Sequence, residues 1–387
     1  MVIMAIAAAG WLGYQFWRLL SPAPPIWPTS PRGAVDLLQR YNEVNHWYAV
    51  PGQRTYYTIG TAVYPPASYV ILWPFVGWTD AMTARWIWAI TTVLFLGWLV
   101  ALTVRESKAS TRLEQTFIAL IPLSIYATGA TIGNGQLNVH VMPLLLAGIL
   151  MLSCRSPGWN RDLSGAGMFI LALTKPTIAG PFFWLVLFVQ RSLRPTMVVI
   201  VVYGLLTVFG SSFKDMTLEY TFTTWLRRAS DAAAHGATTG AVANQSTLLM
   251  SLGLDLWLIP AALLGVLVMG AWMYAHRRGN PWVLLGVFGL LTRLGFYHRW
   301  YDDMLILPAM IALYLVAKQS VARGVRDVIA GLLFSILLIV MIAPGGLYLL
   351  PPPWNTYSTY VQVGIWTVTL AFLLSQAWVE RRNPVAT

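Results

Sequence analysis

Tyr64-Pro65-Pro66-Ala67-Ser68-Tyr69-Val70-Ile71-Leu72-Trp73-Pro74-Phe75-Val76-Gly77-Trp78 decides how the whole chain threads. The stretch is apolar, but it opens on a proline pair and holds a third proline. As a helix rising 1.5 Å per residue it reaches only ~22 Å, short of the ~30 Å hydrocarbon core of a bilayer. If it does not span, the gaps holding Arg105/Lys108/Arg112, Arg155/Arg161, Arg191/Arg194, Arg277/Arg278, Lys318/Arg323/Arg326 and Arg381/Arg382 all fall on one side. That is the arrangement of the positive-inside rule, with both termini in the cytoplasm. If it spans, the agreement is lost from Arg105 onward. Residues 64–78 are therefore expected as a half-buried helix on the outer face.

Composition sets this threading in a membrane. Charged residues are 10% of the chain and hydrophobic ones 57%, against about 25% and about 45–50% in soluble domains. The 19 Trp and 17 Tyr match the aromatic belts at membrane–water boundaries. A net charge of +11 would suit a nucleic-acid partner. The basic residues instead punctuate the gaps between apolar runs, so no nucleic acid is expected. A single cysteine, Cys154, excludes an internal disulfide. Residues 1–20 lack a basic leader and a small-residue cleavage site, and are expected as a retained helix.

The expected fold is an all-α polytopic membrane protein forming one transmembrane domain over residues 1–387. Apolar runs at 1–20, 83–104, 115–132, 137–153, 196–213, 255–275, 281–296, 304–317, 328–350 and 360–378 each suit a span. Residues 163–190 are too long for one, and Lys175-Pro176 lies in their middle. Two short helices meeting near Lys175 spare the membrane a buried cation and the helix an internal proline. The count becomes about twelve. Outer loops then cover about 21–82 and 214–254, so only that side has enough polar chain to build a site.

The outward acidic residues can be weighed singly. Asp36 follows the proline-rich run 22–31, and Val35, Leu38, Tyr41 and Trp47 form a stripe at helical spacing. A short amphipathic helix lying on the membrane is expected. Asp36 either favours the positive end of that helix or serves as a general base beside the lipid boundary. In Gly133-Asn134-Gly135-Gln136-Leu137-Asn138 the glycines permit a tight turn. The Gln136 and Asn138 amides suit sugar hydroxyls, or Asn138 caps the next helix. Lys175 suits a phosphate as a point charge, or snorkels. Asn244-Gln245-Ser246 is a formal glycosylation acceptor or a helix cap. His298-Arg299-Trp300-Tyr301-Asp302-Asp303 packs a titratable ring, a cation and two carboxylates into one turn. No second cluster completes a metal site around Asp302 and Asp303, so no metal or other cofactor is expected.

Taken in order, these segments resemble glycosyltransferase family 87, polytopic enzymes of the GT-C superfamily that use polyprenyl-phosphate sugars. The resemblance is carried by Asp36 with its aromatic-rich sequel, Tyr64-Pro65-Pro66 before a short apolar helix, and Gly135-Gln136-x-Asn138. Lys175-Pro176, Asn244-Gln245-Ser246 and Tyr301-Asp302-Asp303 before an apolar span complete it. It covers nearly the whole chain. It implies a GT-C-like fold and an acid in the first outer loop as base, at Asp36, with inversion at the anomeric carbon. The implied donor is a sugar on polyprenyl phosphate, mannose or another hexose ahead of arabinose. The implied acceptor is a lipid or glycan at the non-cytoplasmic face of the cell membrane. Lys175 with Arg299 or His298 would then steady the departing phosphate, and Tyr64, Gln136, Asn138, Asn244, Gln245, Tyr301, Asp302 and Asp303 would bind substrate. Two rival classes are a transporter or flippase of a lipid-linked sugar and a non-catalytic scaffold. The first should show inverted repeats with midplane charges, of which only Arg293 is a candidate. The second has no use for a turn as charged as 298–303.

Overall fold

The computed structural model describes residues 1–21, 33–49, 62–154, 158–189, 192–238, 245–318, 324–345, 350–351 and 353–382. Among them the secondary structure is helical without strands, apart from an isolated bridge between Ile125 and Ile342. Five helical segments are long and apolar enough to cross a membrane: Ala81–Glu106, Arg194–Ser211, Asp255–His276, Trp300–Lys318 and Tyr357–Arg382. Pro66–Val76, Asn138–Ser153, Pro176–Phe188 and Pro281–Gly295 are apolar but shorter. The chain is membrane-embedded. Of the other expected spans, Val2–Leu20 is an unbroken helix of 19 residues outside these five, and the rest are shorter or broken.

Breaks in the helices follow local chemistry. The run expected as one span at 115–132 divides into α5 (Arg112–Ser124) and α6 (Tyr126–Asn134). Ile125 between them is extended (φ −74°, ψ 139°) and faces Ile342, where α16 (Val325–Met341) has stopped. The Ala343 amide donates to the Ser124 carbonyl at 2.7 Å. The expected span 328–350 therefore ends early, because its last turns are replaced by this cross-connection. At Lys175 the chain breaks as Pro176 requires: α8 (Trp159–Ala172) stops, and α9 (Pro176–Phe188) starts on the proline.

Both long outer segments hold helices, which were expected within 21–82 but not within 214–254. Residues 21–82 carry α2 (Val35–Ala49) and α3 (Pro66–Val76), between α1 (Val2–Leu20) and α4 (Ala81–Glu106). Residues 214–254 carry α11 (Leu218–Thr238) and α12 (Gln245–Ser251). Thr217 starts α11 by accepting from the Tyr220 amide at 3.2 Å. No proline or glycine then interrupts the chain before Gly236.

The expected orientation of α2 is corrected. Trp47, foreseen on a membrane-facing stripe with Val35, is instead fully buried in the protein core with Leu37 and Val44, while Val35 itself is exposed. This buried stripe lies against α3, where Trp47 stacks on Tyr69 at 4.7 Å. The Trp47 indole donates to the Gly210 carbonyl of α10 (Arg194–Ser211) at 2.8 Å. A tryptophan with a buried N–H needs such a partner, and the bundle supplies it where lipid cannot.

The remaining helices are α7 (Asn138–Ser153), α13 (Leu258–His276), α14 (Pro281–Gly295), α15 (Leu307–Lys318) and α17 (Trp354–Arg382). A 3-10 turn, Trp300–Ile306, runs into α15. Of the five span-length segments, the one opening on this turn is the most enclosed, with 83% of its apolar window buried, against 17% for 255–276. Charged residues of the turn thus sit inside the protein, where each needs a partner.

Candidate functional site

Helix junctions build the site. Helix α6 ends at Gly135 in the left-handed conformation (φ 68°), and a Cβ there would lie 2.4 Å from Leu37 Cβ. Glycine both permits the cap and lets α2 close onto it. The Ala34 amide fastens the start of α2 to the Gly133 carbonyl at 2.8 Å. Asp36 and Gln136, each next to one of these contact residues, therefore stand on adjoining walls of one cavity.

Across from them lies a buried polar knot. Lys175 Nζ donates to Asp302 Oδ1 at 2.6 Å, Asn138 Oδ1 at 2.8 Å and Gln136 Oε1 at 3.1 Å. Asn138 Nδ2 donates to Asp302 Oδ1 at 2.9 Å and to the Tyr301 carbonyl at 2.8 Å. The Arg299 amide donates to Asp302 Oδ2 at 2.9 Å, and His298 Nδ1 stands 3.4 Å from the same oxygen. An ammonium has three protons to donate, and all three of Lys175 are engaged. The ion pair is nearly sealed from solvent, as the burial of both partners requires for it to be well matched.

The cavity has a volume of about 470 Å³, within the range of ligand pockets. Of the residues expected from sequence, Asp36, Tyr64, Gln136, Lys175, Arg299, Tyr301 and Asp302 line it together. The others are placed differently. Asn138 and His298 are fully buried behind the wall, buttressing Asp302. Burial pushes the His298 ring below its ordinary pKa, and Asp302 pulls it part of the way back. Asp303, expected to bind substrate, points the other way. It is buried against Arg293 Nε and the Tyr126 hydroxyl. The reason is alternation within a tight turn: neighbouring side chains cannot face one side, and the bundle offers a cation on each. Asp302 likewise pairs with Lys175 and not with the Arg299 guanidinium, whose Nε donates to the Tyr297 hydroxyl at 2.8 Å. Gln245 begins α12 near Gly295, away from the cavity lining. Asn244 lies outside the described residues.

Asp36 differs from the other acids. Burial raises its carboxyl above the ordinary value, while Gln136, Lys175, Arg40 and Arg299 pull it part of the way back. It is half-buried at the cavity wall with no ion pair of its own among the described residues. A carboxylate so placed can accept a proton from a cavity occupant.

Several lining residues were not foreseen. Arg40 sits one turn after Asp36 on α2, bonded to buried Glu43 at 2.7 Å, with its guanidinium 4.4 Å over the Tyr64 ring. Its i+4 spacing from Asp36 was the available signal. Trp225, Arg228 and Asp231 come from α11, taken as loop, so their common face was invisible. The Trp225 indole ties that helix to the Val63 carbonyl at 2.9 Å. Tyr297 joins Arg299 on the wall. Among the described residues no group of three or more His, Cys, Asp or Glu side chains is placed to share a metal ion.

Comparison with known proteins adds the remaining finding. No curated protein and no solved structure matches the chain. The sequence model for glycosyltransferase family 87 matches residues 62–296, more than half of the chain. That span takes in Tyr64, Gln136, Lys175 and the α11 wall of the cavity. The chain is thus a membrane glycosyltransferase and belongs to glycosyltransferase family 87.

Proposed function

We propose that the protein transfers a hexose, mannose foremost, from a polyprenyl-phosphate carrier to a lipid or glycan acceptor, with Asp36 as the base. The observation carrying this reading is the partnering and burial of the cavity acids: Asp302 is consumed by Lys175 and Asn138 and Asp231 is exposed, whereas Asp36 is half-buried and faces the cavity without a cation bonded to it. In the reaction the acceptor hydroxyl gives its proton to Asp36, and its oxygen bonds to the anomeric carbon on the face opposite the phosphate. The carbon–oxygen bond to phosphate breaks with its electron pair, so the carrier leaves as polyprenyl phosphate and the configuration inverts.

Charge developing on the phosphate needs donors already in place. Lys175 has none to spare, so the role moves to Arg299. Its terminal amino groups make no hydrogen bond among the described residues, and the side chain lines the cavity. A lipid-borne donor is supported by a small apolar pocket beside the cavity. Ile71, Leu72 and Phe75 of α3, Leu137 and Thr174 line it, next in sequence to the cavity residues Gln136 and Lys175. The transfer is read as metal-independent, because a metal at Asp302 or Asp303 would have to displace Lys175 or Arg293.

Chain order supports a site on the non-cytoplasmic face. If α5 and α6 count as one span and α2, α3, α11 and α12 do not cross, twelve spans remain. Asp36, Gln136, Lys175 and Arg299 then fall at junctions on one side, and the basic gaps on the other. The test is transfer by purified protein in lipid nanodiscs, with polyprenyl-phosphate mannose as donor probe and total membrane lipid as acceptor. Asp36→Asn is expected to fold and to lose ~10²–10⁴-fold in rate. Near wild-type transfer by this variant would overturn the assignment.

A further inference from the structure

We infer that Gln136 is a positioning residue for Asp36, its amide oriented by Lys175, so that the buried ion pair governs the base through one intervening side chain. The inference rests on the role of Asp36 proposed above. An ammonium can only donate, so the Gln136 atom facing Lys175 Nζ at 3.1 Å must be the amide oxygen. The amide nitrogen then points away from Lys175. An ionised carboxylate can only accept, and Asp36 stands next to Gln136 on the cavity wall, where the close packing of Gly135 on Leu37 brings their neighbouring side chains together. Each link has one polarity: Lys175 donates to Gln136, and Gln136 donates to Asp36.

Lys175 cannot turn away, because Asp302 and Asn138 hold its other two protons at 2.6 and 2.8 Å. The Gln136 backbone cannot drift, because Gly135 is pressed against Leu37 and the Gln136 backbone N–H donates to the Thr131 carbonyl at 2.8 Å. Only 8% of Gln136 is exposed, so the side chain is largely shielded from bulk solvent. The device does two things. It aims the free oxygen of Asp36 into the cavity, and it transmits part of the Lys175 charge without placing the cation against the base. A direct lysine would hold the carboxylate ionised but too weak to take a proton.

The experiment reads the Asp36 proton itself. In the full-length protein in nanodiscs, the infrared carboxyl signal that disappears in Asp36→Asn is followed against pH. Other groups facing Asp36 are Arg40 on its own helix, Lys175, Arg299, Tyr64 and Tyr301, and they stay unchanged. Gln136→Met keeps the length of the side chain and removes the donor. The midpoint is expected to rise by about one pH unit, the worth of one hydrogen bond to the charged form. The acid limb of kcat/KM should move with it, which a purely structural loss would not produce. Gln136→Asn, too short to reach from Lys175 to Asp36, carries the same expectation should the methionine variant not fold. A midpoint within a few tenths of the wild type in either folded variant overturns the inference. Retained transfer by Asp36→Asn would instead sink the base assignment and leave the infrared result standing.

Discussion

Helix α2 and the turn Trp300–Ile306 bring the same residue type to the same cavity with opposite outcomes. The turn presents two adjacent aspartates, and both are spent on cations: Asp302 on Lys175, Asp303 on Arg293. Helix α2 presents Asp36, whose neighbour one turn on, Arg40, is taken by Glu43. In the turn, negative charge fastens helices together. On α2 a spare carboxylate is left to burial and one amide. Sequence makes the turn look the more reactive of the two, because it is denser in charge. Dense charge in a bundle interior is mostly charge that has found its partner.

The comparison breaks hardest at Lys175. Lys175→Met strands Asp302 without its cation and is expected to cost ~3–5 kcal/mol of stability, read as a large fall in melting temperature in detergent. Lys175→Met/Asp302→Asn should recover most of that loss. If the single variant were as stable as the wild type, the fastening role of the turn would be wrong.

Arg299 sharpens the same contrast, since it sits on the turn's edge yet is assigned to the phosphate. Arg299→Met should leave the melting temperature near wild type and slow transfer by ~10²–10³-fold, the usual cost of a lost transition-state donor. Equal loss from Arg299→Met and Arg299→Lys would fit bidentate contact with the phosphate. Full rescue by lysine would fit a point charge.

A smaller effect is the position of the acid limb. Burial raises the Asp36 carboxyl, so the base form is lost at a higher pH than for a free aspartate, near ~3.9. Activity should therefore fall as pH drops through this raised value and be full above it. The linkage has the opposite sign for folding: ionised Asp36 weakens the fold at neutral pH, and protonation relieves this as pH falls. A kcat/KM profile with its acid limb at or below the ordinary aspartate value would remove the desolvation argument.

The smallest expected effect comes from Asp80, an exposed acid with a purely local task. Its Oδ1 accepts from the Met82 and Thr83 amides at 2.9 and 3.0 Å at the start of α4. Asp80→Ala should leave transfer unchanged and lower the melting temperature less than Lys175→Met does. Any loss of transfer would mean that carboxylates beyond the cavity matter.

Much of the fold was legible because it rests on one-dimensional rules. Apolar runs between basic gaps marked the helices, and Lys175-Pro176 marked a break that proline chemistry imposes whatever surrounds it. Asp36, Gln136, Lys175 and Asp302 were legible as candidates because polar residues at helix junctions in so apolar a chain are few. What the amino-acid order alone determined was therefore a membrane-embedded helical chain with its polar residues gathered at certain helix ends. Only the tertiary structure decided which of those residues are still available for chemistry. It turned Asp303 toward Arg293, spent the protons of Lys175, and folded α11 into a wall carrying Arg228. It also turned Leu37 and Trp47 of α2 into the protein core. The physical reason is that pairing in a bundle is non-local. Lys175 and Asp302 are 127 positions apart, and nothing near either one in sequence names the other.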